Sequence, residues 1–202
     1  MNERREREKI IFGGTFDPIH IGHLIIAEQI CEQIESCLVH FIPAGDPPHK
    51  SRGDLTPAEI RFEMTAEAVA DNDRFIISDM ELKRDGPSYT ARTIQKFREE
   101  GYRVSIVMGA DSLAEIFTWR EPEYILNEAR ILVAQRPGYD IEAMKNNPLY
   151  RRYEPEITKV ETGFLDISSS LIRDRIKNDL SIKYMVPEVV ENIIRRERLY
   201  ID

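Results

Sequence analysis

Short apolar runs alternate along this chain with longer stretches in which apolar residues recur every three or four positions. Lys9 to Gly14 (KIIFGG) is apolar and ends in paired glycines, which predicts a buried parallel strand feeding a tight turn. Leu24, Ala27, Cys31 and Ile34 then recur at spacings of 3 and 4, so the stretch from about Ile21 to Ser36 reads as an amphipathic helix. Cys37 to Pro43 is a second strand, and Pro43 to Gly53, rich in Pro, Gly and charge, is a loop. Thr56-Pro57-Ala58-Glu59 supplies a cap, a Pro at the first helical position and an early acid, opening a helix to about Ala70. Arg74 to Ser78 is a third strand. Asp79 to Pro87 has room for one more extended piece before Ser88 caps a helix lasting to Glu100.

Val104 to Gly109 is the fourth strand, followed by short helices at Asp111 to Phe117 and Pro122 to Asn127 and a fifth strand at Arg130 to Gln135. Ile157 to Glu161 can supply a last strand, Ser168 to Asn178 a capped helix and Pro187 to Arg198 a final amphipathic one. Strands separated by helices imply right-handed βαβ units and a doubly wound, Rossmann-like α/β sheet covered on both faces. The expected organisation is a polar tail at residues 1–8, a core over 9–165 and a small C-terminal helical subregion over 166–202.

Composition narrows the function. With 202 residues and 42% hydrophobic content the chain can bury a substantial core. A formal net charge of −8 argues against a protein that coats nucleic acid, because such binding neutralises phosphates with Lys and Arg. The tail lacks the apolar stretch of a secretory signal, and no run of about 18 apolar residues exists to span a bilayer, so a cytoplasmic protein is expected. Cys31 and Cys37 fit no zinc spacing and are expected as buried, reduced thiols.

In a doubly wound sheet, ligands bind beyond the carboxyl ends of the strands, near the point where strand order reverses. The unusual residues of this chain fall there. GGTFDPIHIGH, residues Gly13 to His23, places His20 and His23 three apart, on one face of a helix start where exposed N–H groups and the helix dipole favour phosphate. The alternative is a glycine turn with two surface histidines. It is the weaker one here, since two of only four histidines share this turn and His49 lies in the next strand-end loop. Ser168, Ser169 and Ser170 precede an apolar helix carrying Arg173, a plain cap when read alone and a second phosphate clamp beside the histidine turn. Lys50 is a phosphate-binding charge or a solvated lysine. Asp111, after a strand-ending glycine, is placed equally well to accept from ribose hydroxyls or to cap its helix. Trp119 is the only tryptophan, and a lone Trp is more often core than ligand platform.

Taken in order, GGTFDPIHIGH, Pro47-Pro48-His49-Lys50, Gly86 to Thr90, Gly109 to Ser112, Trp119 and Ile167 to Arg173 resemble the motif set of the bacterial nicotinate mononucleotide adenylyltransferases, within the HxGH nucleotidyltransferase superfamily. The resemblance covers nearly the full chain. HxGH alone is specific only to the superfamily; the ordered set is far more so. Ser170 stands where the family usually has Thr, and Arg120 where an aromatic residue often follows the Trp.

The resemblance implies transfer of the adenylyl group of ATP to nicotinate mononucleotide, in NAD biosynthesis. It implies His20, His23 and Arg173 as catalytic, and Gly13, Gly14, Thr15, Phe16, Asp111, Ser168 and Ser169 with them around ATP. Lys50, Tyr89, Thr90 and Trp119 would receive the mononucleotide, Trp119 by stacking on the pyridine ring. Mg²⁺ would arrive on the phosphates of ATP, with no metal held by the protein itself. Partners would be ATP and nicotinate mononucleotide, without nucleic acid or membrane, and a homo-oligomer is left open. The competing readings are a phosphopantetheine adenylyltransferase, typically shorter and without the GPSYT and Trp119 context, and a nucleotide sensor that has lost turnover.

Overall fold

A computed structural model describes residues 8–35, 37–48, 55–135, 140–146, 148–162 and 166–201. It contains β1 (Glu8–Gly14), α1 (Ile21–Gln33), β2 (Val39–Pro43), α2 (Ala58–Val69), β3 (Phe75–Ile77), α3 (Thr90–Glu99), β4 (Arg103–Gly109), α4 (Ala110–Ala114), α5 (Pro122–Glu128), β5 (Ala129–Ala134), α6 (Ile141–Lys145), α7 (Pro148–Tyr153), β6 (Ile157–Val160), α8 (Ser169–Lys177) and α9 (Glu188–Arg196), with a 3-10 turn at Ile116–Thr118.

The strands form one parallel sheet in the order β3-β2-β1-β4-β5-β6. Strand order reverses between β1 and β4, so the crevice of the fold opens beyond Gly14 and Gly109. Alternation along β1 divides the core. Ile10 and Phe12 pack with Ala27 and Ile30 of α1, Met64 and Ala68 of α2, Ile172 of α8 and Ile193 of α9. Ile11 faces the other way, into a cluster with Ile94 of α3, Leu113 of α4 and Ile125 of α5. The fold is thus the expected doubly wound α/β sheet, buried on both faces. The helices after β6 share the core cluster of α1 and α2, which draws the serine-rich helix start toward the β1 turn.

Several local expectations change. Ser88 does not cap α3, because its backbone N–H and its hydroxyl oxygen are both bonded to Asp46, and the helix starts at Thr90 with Tyr89 as its N-cap. Asp79 to Pro87 is a series of turns, closed by the Lys83 N–H on Asp79 O, rather than a strand. Thr56 leaves the N-cap of α2 to Pro57 and gives its carbonyl to Arg61. Helices α6 and α7 were not expected; each is under two turns, too short to display a period. Cys31 and Cys37 are buried as expected, but they are joined in a disulfide rather than reduced. The short connection between α1 and β2 brings their Cα atoms to 5.0 Å, within bridging range. Among the described residues no helix is long and apolar enough to cross a membrane.

Candidate active site

The turn from β1 into α1 is built by close approaches. Gly14 passes so near Phe16 that an added Cβ would lie 3.0 Å from its ring. Phe16 adopts φ 48° and sends its ring into the core, 5.8 Å from Phe12 and 5.1 Å from His23, so only its backbone is left to meet a ligand. Beside Gly13 the space is open.

His20, only 4% exposed, is the N-cap of α1, and its ring stacks on that of His23 with centroids 3.7 Å apart and planes 27° from parallel. The His20 backbone N–H donates to His23 Nδ1 at 3.2 Å. Since that nitrogen accepts, the proton of the ring sits on Nε2, and His23 carries a donor there. Gly22 makes the stacking feasible, because a Cβ at this position would sit 3.0 Å from His20 Nδ1. Two N–H groups that the sequence offers to phosphate are engaged within the protein, that of His20 on His23 and that of Ile21 on Met185 O. Donors for an anion at this turn are therefore imidazole N–H and the N–H groups of the turn more than the first turn of the helix.

The start of α8 lies against this turn. Ser169 Oγ donates to Pro18 O at 2.9 Å and Arg173 Nη1 to Asp17 O at 2.8 Å, while Arg173 Nη2 lies 3.3 Å from Ser170 Oγ. Ser168 caps α8 by accepting the Leu171 N–H. The three serines thus divide their work: Ser168 shapes the helix start, Ser169 docks it, and Ser170 helps aim the guanidinium. Asp111 stands in the first turn of α4, at the end of β4 and across the switch point from Gly14.

Tyr89, Thr90 and Trp119 come together with Pro48, Ser88 and Arg120 around a cavity of about 100 Å³. The loop after β2 links this cavity to the histidine turn. Its Ala44 N–H donates to Gly14 O at 2.8 Å, and Asp46 bonds twice to Ser88. His49 and Lys50 lie outside the described residues.

A turn that carries imidazole and backbone N–H donors is thus joined by one loop to an aromatic cavity, and sequence comparison says which proteins the chain is similar to. A cytidylyltransferase-like family model matches residues 11–175. The chain is 42% identical to a probable nicotinate-nucleotide adenylyltransferase of Moorella thermoacetica, over 94% of this chain and 90% of that one. It is 37% identical to one of Clostridium tetani, over 96% and 99%. This chain belongs to the nicotinate-nucleotide adenylyltransferase family. It is accordingly a nucleotidyltransferase by family, and its fold is that of solved members. Nicotinic acid mononucleotide adenylyltransferase of Plasmodium falciparum, complexed with NaAD, superposes with a TM-score of 0.77 at 21% identity, covering 96% of this chain and 97% of that one. A putative nicotinate-nucleotide adenylyltransferase of Vibrio parahaemolyticus gives a TM-score of 0.68 at 17% identity, over 97% and 96%.

Two residues outside the family's histidine turn, Arg61 and Tyr200, support it together with Asp17 of the turn, and no role for the three follows from the motif. Arg61 is 1% exposed and donates from Nε to Thr56 O, from Nη1 to Thr15 O and from Nη2 to Gly45 O, at 2.9, 2.7 and 3.3 Å. Burial pushes its pKa down, against the opposing pull of Asp17 and Tyr200. Asp17, also 1% exposed, accepts the Tyr200 hydroxyl at 2.6 Å. The signal for Arg61 was present: it lies on the stripe of Met64, Thr65 and Ala68 that α2 buries, and a cation there needs a reason. Nothing in the spacing ties Tyr200 to Asp17.

Proposed function

We propose that this protein transfers the adenylyl group of ATP to nicotinate mononucleotide, giving nicotinate adenine dinucleotide and pyrophosphate, as a step of NAD biosynthesis. The observation that carries this reading is the pair of contacts from Ser169 and Arg173 to Pro18 and Asp17, which brings the histidine turn and the α8 start together and supports reading them as one phosphate site. Family membership supports the choice of substrates.

The 5′-phosphate of the mononucleotide attacks the α-phosphorus of ATP in line; a new P–O bond forms as the bond to the bridging αβ oxygen breaks and pyrophosphate leaves. A phosphate monoester is largely dianionic at neutral pH, so the protein needs no general base. Its task is alignment and charge stabilisation. His23 donates from Nε2, and His20, stacked on it, serves the same phosphates as the leaving group gains charge. Arg173, tethered at Asp17 O, adds a cation with N–H groups beyond that bond, and Lys50 adds another. The helices α8 and α9 would close the ATP side, with Asp111 at the ribose.

The turn gathers imidazole, guanidinium and backbone N–H donors, which are phosphate partners and poor ligands for a hard cation that takes oxygen. Mg²⁺ fits this site as an ion carried on phosphate oxygens and water, where it would neutralise phosphate charge. Tyr89, Thr90 and Trp119 take the pyridine ring in their cavity, with the Thr90 hydroxyl and backbone near Trp119 as donors to the carboxylate. The amide would turn its own NH₂ against such donors and leave them unpaired.

Pyrophosphate release from ATP and Mg²⁺ should be measured with nicotinate mononucleotide, nicotinamide mononucleotide and phosphopantetheine in turn. Fastest turnover with the nicotinate compound is expected. Turnover with phosphopantetheine alone rejects the substrate, and dinucleotide binding without any turnover favours a sensor.

A further inference from the structure

The β1–α1 turn is held by its carbonyl groups. Gly14 O accepts from Ala44 N–H at 2.8 Å, Thr15 O from Arg61, Asp17 O from Arg173 and Pro18 O from Ser169. In a trans peptide the C=O and the following N–H point in opposite directions. Anchoring the carbonyls of Gly14 and Thr15 therefore turns the successive N–H groups of Thr15 and Phe16 away from those anchors. Successive N–H groups exposed on one side of a turn make a concave site for an anion.

Two of the groups that set this orientation lie under the turn, Arg61 buried and Tyr200 partly so. The Arg61 guanidinium is a rigid planar fork, and its three bonds span Thr15, Gly45 and Thr56, on the loop after β1, the loop after β2 and the entry to α2. Tyr200 works on the adjoining residue. Its hydroxyl donates to Asp17 Oδ1 and is also hydrogen-bonded to Thr56, while Asp17 Oδ2 is buried with no hydrogen-bond partner among the described residues. Among the described residues the Asp17 carboxylate thus has one hydrogen-bond donor, the Tyr200 phenol. Burial, and after it the Asp17 charge, hold the Tyr200 hydroxyl far above the ordinary tyrosine range, so it stays a donor. Arg61 and Tyr200 meet at Thr56, which makes them one assembly under the turn.

We propose that Arg61 and Tyr200 are positioning residues for adenylyl transfer, aiming the N–H groups of the phosphate turn through Thr15 O and the Asp17 carboxylate. The proposal rests on the adenylyl-transfer reading. Donors that are misaimed by a fraction of an ångström still bind ground-state phosphate, but they lose what they add as charge develops on the leaving group. The effect belongs in kcat more than in KM.

The test uses Tyr200→Phe and Arg61→Lys in the full chain, with Ser105→Ala as a matched control. Ser105 is fully buried and donates its hydroxyl to Glu8, near the start of β4 and at the opposite end of the strand from the site. Wild-type turnover of ATP with nicotinate mononucleotide comes first; if it is absent, the functional reading has failed, whatever the variants do. Given that turnover, kcat in Tyr200→Phe is expected to fall about 10-fold or more with the KM for ATP within about 2-fold, and Ser105→Ala to match the wild type. A kcat within about 2-fold of wild type in the folded variants, or an equal fall in Ser105→Ala, overturns the proposal. Should Arg61→Lys fail to fold, the amide ¹⁵N shifts of Thr15 and Phe16 in Tyr200→Phe decide: displaced shifts support the positioning role, and unchanged shifts contradict it.

Discussion

Arg173 Nη1 donates to the carbonyl oxygen of Asp17 at 2.8 Å, across 156 positions of the chain. That bond and its neighbour from Ser169 to Pro18 join a turn encoded near one end of the sequence to a helix start encoded near the other. A charge-assisted hydrogen bond of this kind contributes about 1.5–3 kcal/mol. Arg173→Ala should therefore lower kcat/KM for ATP by roughly 10- to 100-fold, and Arg173→Lys, which keeps the charge but not the fork, by less. Steady-state kinetics in both variants measures this.

Gly22→Ala should separate activity from stability. An added methyl favours an exposed helix by about 0.5–1 kcal/mol over glycine. Here it lands 3.0 Å from His20 Nδ1 and must displace that ring. Thermal unfolding should be little changed while kcat falls about 10-fold or more. A variant as active as the wild type would mean that the stacked histidine geometry is not required.

The parallel sheet and most of the element order were legible in the sequence, because β1, β2, β4 and β5 are short apolar runs set off by glycine, proline and charge, whereas α6 and α7 are too short to show a period. His20, His23 and the α8 serines could be read because they follow strands or open helices at fixed offsets. Arg61, Asp17 and Tyr200 were not read, since their relation is made by packing between α2, the β1 turn and the segment after α9. Likewise the Cys31–Cys37 pairing needs a connection tight enough to bring the two residues together, which metal spacing does not address. Ser88 looked like a cap from its place before α3, yet Asp46 had the better claim on it.

The cavity at Trp119 should matter for one substrate only. Trp119→Ala is expected to raise the KM for nicotinate mononucleotide about 10-fold or more and leave the KM for ATP within about 2-fold, as loss of an aromatic stacking partner costs on the order of 1 kcal/mol or more. Initial rates with each substrate varied in turn check this; an equal rise in both would place the ring in the general core.

Acid sensitivity should trace partly to His40. Burial, aided by the Lys9 ammonium 3.2 Å from Nε2, lowers its pKa from 6.5 to about 4. Between those values the unfolded chain binds the proton and the native one does not, so stability is full above about pH 6.5 and falls as pH drops toward 4. The difference corresponds to on the order of 3 kcal/mol. In urea unfolding at pH 7 and pH 4.5, His40→Gln should lose less stability on acidification than the wild type. Parallel losses would show that His40 does not contribute.

In the proposed reaction this turn stabilises charge developing on the departing pyrophosphate. His20→Ala tests it most directly, through kcat with nicotinate mononucleotide set against the dissociation constant for ATP. In this variant kcat should fall by roughly 100-fold or more while ATP binding weakens by less than about 10-fold. Equal loss in the two would contradict it, because His20 would then be serving ground-state binding alone.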